Sequence, residues 1–332
     1  MEESAKRPSR TSRIKGSIYG VAVTDALGGP VEFKRRGTFP LVTKYRYNGN
    51  FDLAPGTWTD DTSMTLCLGQ SLIEKSGVFD PLDQVSKFVA WSKNGYMSAT
   101  GECFDIGITT STALSYWSKL IQSSPADTAY EIGQKGIVQG LGSQRNCGNG
   151  SLMRTSAIAL VYHESPSVME KNARLSSDLT HPYKTNSEAC VLYTSLIAGS
   201  LKGSSKAELA SKVSCFDYKV DDLRARLSGY VSIDSFVAKL EDQISSSGYV
   251  IDTLEAALWS FFTTENFREG ALKVVNLGSD ADTVGAVYGG LAGAFYGLEA
   301  IPDEWLVGLE KREMVEEVAE GLAKLQVQPD EG

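Results

Sequence analysis

Histidine is nearly absent from this chain: His163 and His181 are the only two among 332 residues. Catalysis here cannot lean on imidazole, and a histidine-built zinc site is excluded. The five cysteines (Cys67, Cys103, Cys147, Cys190, Cys215) are widely spaced, odd in number and contain no Cys-x-x-Cys. That spacing gives neither a disulfide framework nor a thiolate metal site, and implies a reducing, cytoplasmic setting. Positive charge is also scarce, with a net charge of −9 and a pI near 5.0. A nucleic-acid partner would normally demand a basic face, so none is expected. Long apolar runs are missing too. The best, Val284 to Leu298, is too short to span a bilayer and is bracketed by Asp282 and Glu299. The basic segment Lys6 to Lys15 lacks the apolar stretch of a secretory signal. It reads as a disordered tail, with a weak nuclear-import patch as the alternative.

Alternating strand patterns are few, Leu41 to Tyr47 being the best candidate. Helical spacing dominates instead. Apolar residues recur at three- and four-residue intervals in 15–27, 62–75, 82–92, 106–121, 127–140, 151–163, 167–178 and 186–201. The pattern returns in 205–213, 220–229, 234–246, 252–263, 266–276, 283–298 and 311–325. Glycine and proline punctuate these stretches, and no long linker divides them. With 42% hydrophobic residues the chain can bury a large core. The expectation is one compact, orthogonal multi-helix all-α domain over 14–325, with disordered tails at 1–13 and 326–332, acting as a monomer.

Two of these helices carry glycine rows. Gly16, Gly20 and Gly28 fall in one stripe with Thr24, and Gly285, Gly289, Gly293 and Gly297 form another. Each glycine costs a helix about 1 kcal/mol against alanine. Close helix-to-helix approach would compensate, so the two helices are expected to touch and to bring Glu32 near Asp280.

Acidic clusters stand at two predicted helix starts: Gly56-Thr-Trp-Thr-Asp-Asp-Thr-Ser-Met64 and Leu277-Gly-Ser-Asp-Ala-Asp-Thr-Val-Gly285. Either alone is explained by N-capping and the helix dipole. Capping needs one such residue, however, and here several anions crowd one turn. A divalent cation relieves their repulsion most simply, and carboxylate and hydroxyl oxygens suit Mg²⁺ or Mn²⁺. The pair therefore points to a binuclear metal cleft and a metal-assisted hydrolase. A third predicted helix mouth, Asn146 to Arg154, holds the turn Gly148-Asn-Gly150. Its backbone N–H groups, with Asn149 and Ser151, would suit a phosphate or diphosphate. Arg154, one turn inside that helix, is expected to meet a ligand or a core carboxylate.

In order along the chain, Gly28-Gly-Pro-Val-Glu-Phe33, the Thr59-Asp60-Asp61 segment, Phe104-Asp-Ile-Gly107, Gly148-Asn-Gly-Ser-Leu-Met-Arg154, Thr180-His-Pro182 and Gly278-Ser-Asp-Ala-Asp-Thr283 form a series. It resembles the ADP-ribosylglycohydrolases, in particular the dinitrogenase reductase-activating branch, from about Ile14 to Trp305. The resemblance implies an all-α fold holding two Mg²⁺ or Mn²⁺ ions through Thr59, Asp60, Asp61, Asp280, Asp282 and Thr283. It implies catalytic roles for Glu32 near the metals, Asp105 beside the leaving group and Asp61. It further implies that Asn149, Gly150 and Ser151 hold ADP-ribose while His181 lines the pocket. Ile108 departs from the asparagine that many bacterial members have there.

The implied activity is removal of ADP-ribose from ADP-ribosylated protein side chains, arginine first. Serine-linked ADP-ribose, O-acetyl-ADP-ribose and poly(ADP-ribose) are the alternatives, together with a non-catalytic ADP-ribose reader. Bland readings stand beside the single residues: Glu32 as a solvated turn residue, Asp105 as an N-cap, His181 as a satisfied loop histidine. A haloacid-dehalogenase-type phosphatase would carry Asp280-Ala-Asp282 early in a doubly wound sheet. A helical terpenoid synthase would need a third acid in Asp60-Asp-Thr-Ser-Met64.

Overall fold

The computed structural model describes residues 7–325; residues 1–6 of the expected N-terminal tail and all of the expected C-terminal tail, 326–332, lie outside the described residues. Among the described residues there are sixteen α-helices and no strand beyond the isolated bridges Asn48–Leu53 and Gly148–Tyr249. The all-α expectation holds. None of the described helices is long and apolar enough to cross a membrane.

Seven helices matter to the site: α1 (Arg10–Gly28), α2 (Asp60–Glu74), α3 (Ile108–Ser123), α4 (Lys184–Leu201), α5 (Val250–Phe262), α6 (Ala281–Tyr296) and α7 (Arg312–Lys324). Helix α1 takes in residues 10–13, which the sequence pattern leaves to the tail, because Ser9 caps it through the N–H of Ser12.

Helices α1 and α6 form the centre. A Cβ on Gly16, Gly20 or Gly28 would strike the backbone of Gly293, Gly289 or Ala281 respectively. As numbering rises along α1 it falls along α6, so the pair runs antiparallel with one contact each turn. Thr24 completes the row by donating its hydroxyl to the Gly285 carbonyl at 2.7 Å, and Ser17 donates to that of Gly290 at 2.8 Å. Around this pair pack α2, α4, α5 and α7, and both central helices are buried on nearly every face. That is why their sequences lack a polar side.

Three expectations fail. Leu41 to Tyr47 is an irregular loop, not a strand, since Asn48 turns back onto Leu53 and no second chain pairs with the segment. Residues 234–246 are not one helix but a short helix, Ile233–Val237, and a 3₁₀ turn, Glu241–Gln243. Their apparent stripe breaks because Phe236 and Ile244 are buried while Leu240 is 62% exposed. The helix expected over 151–163 begins only at Ser156. Residues before it form turns held by Asn149 and Leu152 carbonyls.

Candidate active site

The glycine register ends where the acidic clusters begin. With Gly28 against Ala281 and Asp282, the chain leaving α1 passes the start of α6. A pair of backbone hydrogen bonds clasps them: Phe33 N–H to the Ser279 carbonyl at 2.7 Å, and Ser279 N–H to the Lys34 carbonyl at 2.8 Å. Phe33 and Ser279 both sit in left-handed backbone (φ +62° and +61°), as does Asp105 (φ +58°). Such conformations cost non-glycine residues of order 1–3 kcal/mol and persist where surrounding structure imposes them. Each flanks or is a carboxylate of the cleft.

That cleft has a volume of about 1110 Å³ and is lined by Glu32, Asp60, Asp105, Asp280, Asp282 and Thr283, with Asn149, Gly150 and His181 on its wall. Thr59 and Asp61 are fully buried. Carboxylate oxygens of Glu32, Asp105 and Asp282 lie within 4.8 Å of one another, and so do those of Asp25, Asp61 and Asp282. Asp282, at the start of α6, belongs to both groups. The Thr283 hydroxyl reaches Asp61 Oδ2 at 3.3 Å, across 222 positions of sequence.

Neither cluster is spent on capping. Thr59 and Asp280 occupy N-cap positions, yet neither makes a side-chain cap bond, and the N-cap of α3 is Gly107 rather than Asp105. Glu32 Oε2, Asp61 Oδ1, Asp105 Oδ2 and Asp282 Oδ1 are buried without a hydrogen-bond partner. Burial first, then repulsion from Asp105 and Asp280, pushes the Glu32 carboxyl up to about 11. Asp60, Asp61 and Asp282 are driven well above the usual carboxylate range, again by burial before their neighbours' charges. Asp105 rises to about 6 for the same first reason. Orphaned, crowded carboxylates with two hydroxyls beside them are a hard-oxygen donor set, and they fit a divalent cation.

Asp25 is a site residue that the sequence reading missed. It is fully buried on α1 and accepts from both N–H and hydroxyl of Thr59, at 3.0 and 2.9 Å. It also accepts from Thr62, N–H at 3.1 Å and hydroxyl at 2.5 Å. The available signal was a single carboxylate, beside Thr24, in the otherwise apolar run Val21 to Leu27.

The third helix mouth differs from expectation. Asn149 spends its side-chain amide on Asp280 Oδ2 (2.7 Å) and Thr253 (2.9 Å), and its backbone N–H on Gly248. It therefore holds Asp280 rather than offering donors to a diphosphate. The Ser151 side chain is fully buried, accepting from Ser177 at 2.9 Å, and does not line the cleft. Gly150 does line it: a Cβ there would crowd His181 and Thr110 at 2.9 Å. Buried Arg154 does not line the cleft and forms no ion pair among the described residues. It donates to the carbonyls of Gly150 and Ser176 and to the Thr180 hydroxyl, each at 2.9 Å, and stacks 4.6 Å over Phe88. It thus ties the turn to the loop carrying His181. The His181 ring pairs with the Thr180 hydroxyl at 2.8 Å, and burial, then the Arg154 charge, lowers it to about 3, so the ring is neutral. Burial lifts the Cys147 thiol to about 11, which disarms it as a nucleophile.

A helical protein whose central cleft gathers hard-oxygen ligands is the class that fold and site define. The family model described as ADP-ribosylglycohydrolase matches residues 6–331, and the chain belongs to that family of hydrolases. It is 34% identical to the ADP-ribosylarginine hydrolase Tri1 of Pseudomonas putida (strain GB-1), over 96% of this chain and 80% of that protein. It is 28% identical to the ADP-ribosyl-[dinitrogen reductase] glycohydrolase of Rhodospirillum rubrum, over 92% of each. A solved structure described as an ADP-ribosylglycohydrolase-related protein complex superimposes with a TM-score of 0.79 at 36% identity, covering 96% of this chain and 99% of that one.

Proposed function

We propose that this protein hydrolyses the bond between C1″ of ADP-ribose and the guanidino group of modified arginine in proteins. One observation carries the reading: Asp61 and Asp282, from opposite ends of the chain, present oxygens within 4.8 Å of each other beneath one cleft. The relatives named ADP-ribosylarginine hydrolase, at 34% identity, and Asp105 in the cleft wall support arginine as acceptor.

Thr59, Asp60, Asp61, Asp280, Asp282 and Thr283 would hold two ions, Mg²⁺ or Mn²⁺. Bound there, such ions would supply Lewis-acid charge beside the ribose hydroxyls and the attacking water. Without cations the Glu32 carboxyl holds its proton; with divalent charge beside it the group would ionise, and its unpartnered Oε2 would then accept the proton of the attacking water as the C1″–N bond breaks. Asp105, able to carry a proton near pH 6, donates to the departing guanidine. Gly150 and His181 shape the wall against which ADP-ribose lies, His181 as a neutral ring. Asn149 acts by fixing Asp280. All five cysteines are free, in keeping with work in the cytoplasm; we take the protein to act as a monomer.

Arginine-linked and serine-linked ADP-ribosyl substrates, each incubated with Mg²⁺ and with chelator, test this. Release of ADP-ribose from the arginine substrate alone, abolished by chelator, is the expected result. Preference for serine would reassign the acceptor; binding of ADP-ribose without any turnover would make the protein a reader.

A further inference from the structure

The loop from Phe33 to Tyr47 carries Lys34, Arg35, Arg36, Lys44 and Arg46 and not one acidic residue. The whole chain stands at −9, so without these five charges it would stand at −14. None of the five forms an ion pair among the described residues. Uncompensated positive charge gathered on one segment of an acidic protein is a feature of a binding face rather than of packing.

The loop begins at the cleft and comes back to it. Phe33, Lys34, Arg35 and Arg36 line the cleft mouth, directly after Glu32. Beyond Tyr47 the chain returns, with Asn50 donating its amide to the Glu32 carbonyl at 3.2 Å and Phe51 lying 6.4 Å from the Phe33 ring. It is a closed, irregular surface loop of the kind that carries recognition. Apolar groups stand exposed between the cations: Phe33 at 70%, Leu41 at 71% and Tyr47 at 58%.

We infer that this loop docks an acidic stretch of the ADP-ribosylated protein beside the side chain entering the cleft. The inference rests on the proposed hydrolase reading. Charge sign sets the partner, and hydrogen bonding narrows it. Arg36 gives its guanidinium donors to the carbonyls of Leu277, Ile244 and Glu241, and Arg46 gives its own to Pro40 and Leu41. Lys34 is turned back to the Pro30 carbonyl at 2.7 Å. With those donors engaged, Lys34, Arg36 and Arg46 offer a field rather than the free forks that grip phosphate, and among the described residues only Arg35 and Lys44 of the five keep their side-chain donors free. A field interspersed with exposed Leu41 and Tyr47 suits acidic and apolar side chains of a polypeptide better than a phosphodiester chain.

The test is the double variant Leu41→Ser with Lys44→Glu, both outside the cleft lining. It is assayed on an ADP-ribosylated protein with an acidic flank and on free ADP-ribosylarginine. The variant is expected to lose about tenfold in kcat/KM on the protein, carried by KM, with a weaker salt dependence than wild type. Turnover of free ADP-ribosylarginine and the melting temperature should stay unchanged. Equal loss on both substrates, or no loss on either, overturns the inference. So does tighter, Lys44-dependent binding of poly(ADP-ribose) or single-stranded RNA than of the protein. Fluorescence anisotropy of the labelled protein substrate reads docking without turnover. A wild type that hydrolyses no linkage therefore defeats the hydrolase reading alone.

Discussion

Asp25 accepts two hydrogen bonds from Thr59, one from its backbone N–H at 3.0 Å and one from its hydroxyl at 2.9 Å. A buried carboxylate on α1 thus fixes the first turn of α2, where Asp60 and Asp61 begin. Replacing it with asparagine leaves shape and volume but removes an acceptor and the charge. Asp25→Asn is expected to weaken divalent binding by about 10–100-fold, the usual effect of losing a group that orients a ligand. A Mn²⁺ titration followed by electron paramagnetic resonance checks this; wild-type affinity in a folded variant would refute it.

Asp282 stands within 4.8 Å of carboxylates on both sides. Asp282→Asn removes one buried anion from a repelling group, so the chelated variant should be more stable than chelated wild type, by about 1–3 kcal/mol. The same change should abolish the rise in melting temperature that Mn²⁺ gives and cut turnover at least ~100-fold. Calorimetry with and without chelator measures both signs in one experiment.

Stability should depend on pH in a metal-controlled way. Folding raises the Asp25 carboxyl from 3.8 to about 6 and that of Glu32 from 4.5 to about 11, burial being the first cause of each. A raised acid favours the fold while protonated, so its contribution is full below about pH 4 and is lost as pH climbs through 6 and beyond. The gap in melting temperature between Mn²⁺-saturated and chelated protein should therefore widen from pH 4.5 to 8. A gap that is constant with pH would contradict the buried-carboxylate account.

The glycine contacts predict opposite outcomes for one type of substitution. Gly20→Ala places a methyl group on the Gly289 carbonyl, and backbone cannot step aside. It should destabilise the protein by roughly 2 kcal/mol or more, overpacking outweighing the gain in helix propensity. Gly140→Ala, in the helix Ala126–Leu141 with nothing within 4 Å, should stabilise by up to about 1 kcal/mol. Urea unfolding curves distinguish the two.

Legibility in the sequence followed distance along the chain. Thr59-Asp60-Asp61 and Asp280-Ala-Asp282-Thr283 could be read because each crowds its anions into one turn. Glycine rows could be read because four-residue spacing makes one helix face. Asp25 could not, since a lone carboxylate in an apolar helix gives no sign of which distant N–H groups it meets. Nor could the fates of Asn149 and Ser151, whose amide and hydroxyl suit a phosphate in isolation. Asp280, Thr253 and Ser177 engage them first.

By itself the sequence determined the helical class, the family and the oxygen-rich chemistry, because periodicity, motif order and side-chain type are local properties. Tertiary structure decided which oxygens face one another, which donors are already spent, and where positive charge gathers beside the cleft. Those depend on the antiparallel register of Gly16, Gly20 and Gly28 against α6, which brings residues 222 positions apart, Asp61 and Thr283, within 3.3 Å.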